Sequence, residues 1–268
     1  MAGLSAVRRK TTLFSQNHTL HVATCGFDWN RWVCGGGWNE PAGSVVESRV
    51  PTPIKVDIWS DIACPWCYIG KRKFEAGLAE FEGRDDVEVT YHSYELSPDT
   101  PEDFAGSSVD FLVKRKGIDA AQVQQMLENV SGIAAEVGLD FDYDAVLHTK
   151  TLKAHQVLHY AKAQGKQLEY AERLFQAYFE QGRHVGRSED LADLAADVGL
   201  DRDAVLKVLD SGEYADAVDA DINQARAYGI SGVPFFVING KYGVSGAQSA
   251  ETFTGVLDKV RAEESTNV

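Results

Sequence analysis

The chain has 268 residues, of which 44% are hydrophobic and 25% are charged, and its formal net charge at pH 7 is −14. This length provides one large domain or two small ones, with enough apolar material for a core. The acidity argues against a general nucleic-acid binder, which needs a basic surface to displace counterions, and against docking on anionic lipid.

Two further features bear on the expected location. No apolar run approaches the roughly 20 residues that cross a bilayer, and the residues after Arg8-Arg9-Lys10 contain no apolar segment of an export signal. Four cysteines are also too few for a disulfide-framed secreted module. The sequence therefore predicts a cytoplasmic protein, in which a cysteine pair is more often catalytic or metal-binding than structural.

Residues 1–50 differ in composition from the rest of the chain. They contain three of the five tryptophans, the triplet Gly35-Gly36-Gly37 and two isolated cysteines, and no helical or strand period persists in them. We predict a poorly ordered N-terminal extension. An alternative stays open, in which translation starts near Val45, Val46 or Val50 and the extension is not made.

The first regular elements are a strand, a helix and a second strand. Apolar residues alternate in residues 54–59 and again in residues 87–94, which predicts a strand in each segment. Between them, a helix is predicted from the Cys64-Pro65-Trp66-Cys67 segment to about Phe81, because apolar side chains recur there at helical spacing. The cysteine pair therefore lies where the first strand leads into the helix.

The following part, residues 103–229, is predicted to be entirely helical. Its apolar segments end repeatedly at a glycine, the residue that suits the left-handed position after a helix. These glycines are Gly117, Gly138, Gly165, Gly182, Gly199 and Gly229. The pattern predicts a bundle of about six helices rather than a linker.

The C-terminal part returns to strands. The apolar and aromatic run at residues 232–238 predicts a strand, and Asn239-Gly240 predicts a hairpin turn. Residues 241–245 are expected to form the returning strand, and Ser249 is expected to cap a last helix.

The Val233-Pro234 dipeptide near the start of this strand has two interpretations. Proline cannot donate to a strand ladder, so it is expected only at a strand start, an edge or a special site. In the first interpretation it simply begins the strand. In the second, the peptide is cis, lies beside the cysteine pair and leaves the backbone of Val233 free to pair with an extended substrate. The residues alone leave both open.

The cysteine pair is the feature with the clearest chemistry. Thiols react as thiolates, and the N-terminus of a helix favours a negative charge because its N–H groups are unpaired. Pro65 lacks an N–H and suits the first helical turn, while Cys67 lies one turn after Cys64. We predict that Cys64 is an exposed attacking thiolate and that Cys67 is a less exposed resolving thiol.

A metal site and a structural disulfide have less support. A zinc site lacks its second half, because Cys25 and Cys34 are separated by eight residues and lie in the N-terminal extension. A disulfide between Cys64 and Cys67, which are one helical turn apart, closes a loop too small to stabilise the fold much. His155 and His159 are one helical turn apart, but their apolar neighbours favour a structural role. No metal site is therefore predicted.

The order of these features resembles the DsbA-like branch of the thioredoxin superfamily, and within it the cytoplasmic FrnE type. The resemblance rests on Cys64-Pro65-Trp66-Cys67 between the first strand and its helix, on the long helical segment, and on Gly232-Val233-Pro234-Phe235. Shorter motifs typical of that type occur at residues 94–98, 154–159, 182–186 and 244–248.

This resemblance implies an α/β, thioredoxin-like fold with a large all-helical insertion. It assigns residues 54–102 and 213–264 to the thioredoxin-like domain and residues 103–212 to the inserted helical domain. It also implies that Pro234 is a cis proline and that Val233 contacts the substrate backbone.

The resemblance further implies the roles of the cysteine segment. Cys64 is the implied nucleophile and Cys67 the implied resolving cysteine, while Pro65 and Trp66 tune the redox potential. Exported DsbA enzymes usually have histidine where this chain has Trp66, and tryptophan offers no positive charge to a thiolate. We therefore expect a less strongly oxidising pair than in the exported enzymes.

The implied activity is that of a thiol–disulfide oxidoreductase. Its substrate would be a protein or small-molecule thiol or disulfide, and glutathione or a thioredoxin-type protein would be the electron partner, with no cofactor beyond the Cys64–Cys67 disulfide. The alternative is a glutathione-dependent transferase or isomerase of the kappa or 2-hydroxychromene-2-carboxylate isomerase type. Those enzymes use serine at the nucleophile position, so both cysteines argue against them. A non-catalytic binding protein is a third hypothesis, and the oligomeric state, including a homodimer, is left open.

Overall fold

The computed structural model describes residues 52–266, and the extension predicted at residues 1–50 lies outside them. Within the described residues, the chain forms four strands and nine α-helices. They are β1 (Ile54–Ser60), α1 (Pro65–Glu80), β2 (Val87–Ser93), α2 (Ser108–Lys116), α3 (Ala120–Ala135), α4 (Leu152–Ala163), α5 (Gln167–Phe179), α6 (Ser188–Asp197), α7 (Arg202–Ser211), α8 (Ala215–Ala227), β3 (Phe235–Ile238), β4 (Tyr242–Ser245) and α9 (Ala250–Thr266). None of the helices in this part of the chain is both long and apolar enough to cross a membrane.

The four strands form one mixed sheet in the order β2–β1–β3–β4. β1 pairs with β2 in parallel, with Ile54 opposite Val87, and with β3 antiparallel, with Val56 opposite Ile238. The parallel pair needs a crossover connection, and α1 provides it. β3 and β4 form the predicted hairpin around Asn239-Gly240, where both residues have positive φ values of 49° and 65°. The α/β, thioredoxin-like fold with a large helical part is therefore confirmed.

An aromatic cluster holds α1 and α9 against the sheet. The rings of Phe74 in α1, Phe236 in β3 and Phe253 in α9 have centroids 4.6 to 5.6 Å apart. The two helices approach each other closely at Gly77, where a Cβ would collide with the backbone of Ala250. This packing fixes the position of α1, and with it the turn that carries the cysteine pair.

The helical part departs from the prediction in one place. Residues 103–229 contain seven helices, α2 to α8, rather than about six, and residues 136–151 are not helical. Gly138 has a φ of 78°. The Asp142 carboxylate accepts the N–H groups of Asp144 and Ala145, at 3.1 and 3.2 Å. Such side-chain bonds compete with helical backbone bonds. The segment is therefore irregular, and it reaches the neighbourhood of the cysteine pair.

The hydrophobic core is continuous from the sheet into the helices. The Tyr68 ring of α1 stacks on Phe175 of α5 with centroids 5.0 Å apart. At the start of α5, the Gln167 side chain accepts the Tyr91 N–H of β2 at 3.0 Å and donates to the Tyr91 carbonyl at 2.9 Å. These contacts join the two parts of the chain. The boundaries at residues 103 and 212 stay a prediction.

Candidate active site

The cysteine pair lies at the N-terminus of α1. Cys64 is the N-cap residue, with extended backbone (φ −95°, ψ 111°), and Pro65 is the first residue of the helix. The Cys64 N–H donates to the Asp61 carbonyl at 3.1 Å, and the Cys67 N–H donates to the Cys64 carbonyl at 3.0 Å. The first turn of α1 contains no acidic side chain, so nothing there offsets the positive end of the helix dipole.

Both thiols are free and buried, which corrects the prediction that Cys64 is exposed. Cys64 is 3% exposed and Cys67 is 2% exposed. The physical reason is that Cys64 lies on the wall of a cavity that the helical part closes over it. Burial raises the pKa of the Cys67 thiol, and the hydrogen bond and charge of Cys64 add to this effect. Cys67 therefore keeps its proton at neutral pH, which suits a thiol that reacts second.

The Val233–Pro234 peptide is cis and lies beside Cys64. The Cys64 thiol donates to the Val233 carbonyl, with Sγ and O 3.5 Å apart. Gly70 of α1 faces the proline, because a Cβ at this position would lie 2.8 Å from the Pro234 Cγ. The structure thus has the geometry of the second interpretation, although contact of Val233 with a substrate stays a prediction.

Asp61 is a candidate functional residue that the sequence patterns did not indicate. Its side chain is 2% exposed, Oδ2 accepts the Leu96 N–H at 2.7 Å, and Oδ1 lies 3.5 Å from Nε2 of His155. A carboxylate three residues before Cys64 was visible in the sequence, but its burial and its partners depend on distant segments. Asp61 ties the turn before α1 to the segment after β2 and to α4.

The two histidines of α4 have different partners. His155 faces Asp61, whereas Nε2 of His159 lies 3.0 Å from the Asp221 carboxylate and 3.2 Å from the Ser93 hydroxyl. Within residues 52–266, no group of three or more His, Cys, Asp or Glu side chains could hold a metal ion. His159 therefore takes part in polar contacts that hold α4 in place, whereas Nε2 of His155 is buried near Asp61 without a hydrogen-bond partner among residues 52–266.

A cavity of about 480 Å³ adjoins the cysteine pair. It lies between the turn at the start of α1, helices α2 and α3, and the irregular segment at residues 136–151, and its wall is mainly apolar. Cys64, Pro65 and Trp66 all line it, and Trp66 is 39% exposed. The predicted role of Pro65 and Trp66 in tuning the redox potential stays a prediction. Cys67, in contrast, lies outside this wall.

His148 forms a neutral part of the cavity wall. The Ser108 hydroxyl donates to the Tyr143 carbonyl at 2.7 Å, so Nε2 of His148, 3.1 Å away, must donate to that hydroxyl oxygen. Nδ1 then accepts the Tyr178 O–H at 3.0 Å. The ring stacks on Phe111 with centroids 4.1 Å apart. Burial lowers the pKa of His148 to about 4, so the ring is uncharged at neutral pH.

The sheet order, the paired cysteines at the start of α1 and the adjacent cis proline define a protein of the thioredoxin-like class. More particularly, the chain belongs to the DSBA-like thioredoxin domain family, whose model matches residues 55–258. Membership in the FrnE type within that family stays a prediction.

Three relatives illustrate this likeness. The chain is similar to a probable DsbA oxidoreductase from Streptomyces coelicolor, at 40% identity and a TM-score of 0.74, with 78% of this chain and 91% of that chain covered. It is 28% identical to the uncharacterized protein YwbO of Bacillus subtilis, over 75% of this chain and 94% of YwbO. A 2-hydroxychromene-2-carboxylate isomerase structure is similar in fold alone, at 14% identity and a TM-score of 0.62, with 80% of this chain and 99% of that chain covered.

Proposed function

We propose that this protein is a thiol–disulfide oxidoreductase that acts through Cys64 and Cys67. One observation carries the proposal. Cys64 is the N-cap residue of α1, and its thiol lies 3.5 Å from the Val233 carbonyl, next to the cis Val233–Pro234 peptide, with Cys67 one turn further along the helix. A thiol at a helix N-terminus is disposed to react as the thiolate, and a buried second thiol can resolve the product.

The proposed reaction has two exchange steps. The Cys64 thiolate attacks one sulfur of a substrate disulfide, forms a mixed disulfide and releases the other half of the substrate as a thiolate, which takes a proton from water. Cys67 then loses its proton, attacks the Cys64 sulfur and releases the second substrate thiol. Two electrons pass from the cysteine pair to the substrate. The reverse sequence oxidises a dithiol.

The mixed disulfide also suggests roles for the proline segment and for the electron partner. When Cys64 is joined to a substrate, the hydrogen bond from its thiol to the Val233 carbonyl is lost. The backbone of Val233 is then free to pair with an extended substrate. Glutathione or a thioredoxin-type protein, in the cytoplasm, would return the Cys64–Cys67 disulfide to the dithiol.

Trapping of the mixed disulfide tests the proposal. A Cys67→Ser variant should accumulate covalent complexes with a disulfide substrate, because the resolving thiol is absent. A Cys64→Ser variant should not, since Cys67 lies outside the cavity wall and its thiol keeps its proton. Non-reducing electrophoresis and intact-mass measurement provide the readout, with the double variant as the control. Equal trapping by both single variants would contradict the assigned roles.

The alternative activity, glutathione-dependent transfer or isomerisation, is open to a direct test. The Cys64→Ser, Cys67→Ser double variant restores the hydroxyl at the nucleophile position that those enzymes use. Under the proposed function it should not conjugate glutathione to chlorodinitrobenzene.

The binding-protein hypothesis is tested by the reduction of insulin with dithiothreitol as donor, which should require Cys64. Absence of this activity in the wild type and both single variants would favour binding alone.

A further inference from the structure

The cavity beside Cys64 has the size of a small-molecule site. Its volume is about 480 Å³, within the roughly 300–1,000 Å³ typical of ligand pockets. Cys64 lies on its wall, whereas Trp66, Arg115 and Lys116 line it and are exposed to solvent. The cavity therefore extends from solvent to the reactive sulfur.

The side of the cavity formed by α2 and α3 is apolar. Phe111 comes from α2, and Met126, Leu127 and Val130 come from α3. Phe111 and the neutral His148 are stacked and both line the cavity, so they offer aromatic surface to a ligand. A flat, apolar ligand bound here would remove from water both its own apolar surface and that of the cavity wall.

The exposed end of the cavity carries positive charge. Arg115 and Lys116 lie in the last turn of α2, and neither forms an ion pair with a carboxylate within residues 52–266. The Arg115 guanidinium donates one hydrogen bond to the Leu96 carbonyl, which holds it at this position. The acidic side chain of the wall, Asp61, is buried and already accepts the Leu96 N–H. An anionic group at the exposed end would therefore meet two cations.

One residue of the cavity wall, Tyr143, has a hydroxyl without a hydrogen-bond partner among residues 52–266. The Tyr143 hydroxyl oxygen is buried and has no hydrogen-bond partner within the described residues, and the residue lines the cavity. Burial, and then the charge of Cys64, raise the pKa of Tyr143, so the hydroxyl keeps its proton and lies within the field of the sulfur.

From these contacts, and on the basis of the proposed function, we infer that the cavity binds a small aromatic disulfide that carries a carboxylate or a similar acidic group. The ring lies against Phe111 and Met126, the acidic group lies at Arg115 and Lys116, and one sulfur reaches Cys64. The Cys64 thiolate forms a disulfide with one half and releases the other as an aryl thiolate. Cys67 then forms the Cys64–Cys67 disulfide and releases the second aryl thiolate. The substrate gains the two electrons that the cysteine pair loses.

Oxidised glutathione fits this wall less well. Glutathione disulfide carries carboxylates at both ends of each half and an ammonium group at one end, and burial of a charge without a partner is costly. Behind the exposed end, the wall offers the neutral His148 and Tyr143 and a single carboxylate, Asp61, whose oxygens already face protein groups. A preference for oxidised glutathione is therefore an outcome that would overturn the inference.

Single-turnover kinetics test the inference without a reductant. The reduced protein, carrying Cys25→Ser and Cys34→Ser so that only Cys64 and Cys67 react, is mixed with excess dithiobis(nitrobenzoate), an aromatic disulfide with one carboxylate on each ring, and release of the aryl thiolate is followed by absorbance. Dithiodipyridine, an uncharged aromatic disulfide, and oxidised glutathione are compared with it. Each rate is divided by the rate of the same disulfide with N-acetylcysteine, which removes the effect of the leaving group. We expect saturation with dithiobis(nitrobenzoate) at the lowest concentration of the three.

Charge and volume variants locate the binding. Arg115→Gln combined with Lys116→Gln should raise the half-saturating concentration of dithiobis(nitrobenzoate) by roughly fivefold or more and leave that of dithiodipyridine unchanged. Lys114→Gln, on the same helix but outside the cavity wall, is the matched control and should change neither. Met126→Trp should fill the cavity and weaken both aromatic disulfides by roughly tenfold.

The result that would overturn the inference differs from the failure of the proposed function. Linear, unsaturated rates with all three disulfides, or normalised rates fastest with oxidised glutathione or with a cysteine peptide disulfide, would overturn the substrate class. So would charge variants that respond no more than Lys114→Gln. In these cases the wild type would still catalyse the reduction of insulin by dithiothreitol, and this activity would still require Cys64. If that activity is absent, the proposed function itself fails.

Discussion

Cys64 and Cys67 belong to one short motif, but their sulfur atoms reach different surroundings. Cys64 lies on the cavity wall and donates to the Val233 carbonyl, whereas Cys67 lies in the core, where burial raises the pKa of its thiol. Trp66, between them, is partly exposed and brings no charge. We therefore expect the redox potential of the pair to depend on the helix N-terminus and on burial rather than on a cationic neighbour.

The first prediction concerns Trp66. Trp66→His should raise the reduction potential by at least about 30 mV, a tenfold change in the equilibrium constant, because an imidazolium stabilises the thiolate of the reduced form. The wild type should lie below the potential of about −120 mV that DsbA has. Equilibration in glutathione buffers, with alkylation and mass measurement, gives both values. Trp66→Phe, which adds no charge, should leave the potential unchanged. A wild-type value at or above that of DsbA would contradict the expectation.

The second prediction concerns Gly70. Gly70→Ala would bring a Cβ to 2.8 Å from the Pro234 Cγ, and a proline ring cannot rotate away. The segment at Val233 should therefore shift, with a loss of about 1–3 kcal/mol in the free energy of unfolding and slower disulfide exchange at Cys64. Gly132→Ala in α3 is the matched control, because nothing lies within 4 Å of the added Cβ. It should stabilise the protein by up to about 1 kcal/mol. Unfolding in urea and single-turnover rates give the comparison.

At the scale of elements, one polar network joins β1, β2 and α8. The His92 ring lies between two carboxylates, with Nδ1 2.7 Å from Asp221 and Nε2 2.9 Å from Asp57, and it stacks on Trp59 with centroids 4.5 Å apart. The Asp221 carboxylate also accepts the Ser93 N–H at 2.8 Å. Burial opposes a charge on His92, but the hydrogen bonds and charges of Asp221 and Asp57 outweigh it and raise its pKa to about 9.

The third prediction is a pH dependence that follows from this network. The folded-state pKa of about 9 lies above the unfolded value of about 6.5, so protonated His92 favours the folded state. This contribution, on the order of 3 kcal/mol, is complete below pH ~6.5 and is lost as pH rises through about 9. The difference in unfolding free energy between wild type and His92→Gln should therefore shrink between pH 7 and pH 10. A difference that stays constant, or grows, over this range would contradict the assignment.

At the scale of the whole molecule, the Gln167 side chain joins the helical part to the sheet, because it forms the backbone hydrogen bonds that a neighbouring strand would form. Gln167 satisfies both backbone groups of Tyr91 on β2, the outer strand of the sheet. A side-chain amide can do so because it offers one acceptor and donors at nearly the spacing of a peptide group. Together with the continuous core, this contact indicates that the described part of the chain unfolds as one unit.

The fourth prediction tests that coupling. Gln167→Ala leaves a buried N–H and a buried carbonyl without partners, so the free energy of unfolding should fall by about 2–4 kcal/mol. Gln125→Ala, which removes an exposed amide contact with Asn129 on α3, is the control and should cost less than about 0.5 kcal/mol. Urea curves from fluorescence and from circular dichroism should coincide in both variants. Separate transitions in the wild type would contradict a single unit.

Local sequence patterns predict most of the strands and helices of this fold, because each pattern depends on residues within one element. The alternation in β1 and β2, the Asn239-Gly240 turn and the position of the cysteine pair at the start of α1 all follow from backbone periods and caps that neighbouring residues set. The irregular segment at residues 136–151 is not predicted by these patterns. It lies within residues 103–229, for which helices are predicted, but the bonds of the Asp142 side chain and the positive φ of Gly138 decide against a helix.

The amino-acid order was enough to place Cys64 and Cys67 at a helix N-terminus and to predict redox chemistry, because a cap, a proline and a one-turn spacing are local properties. It could not show that Cys64 is buried. That depends on helices α2 and α3, more than forty residues further along the chain, which close a cavity over the thiol. The partners of Asp61 and the neutral state of His148 depend in the same way on contacts between distant segments. Burial and electrostatic environment are properties of packed surfaces, and they exist only once the chain has folded.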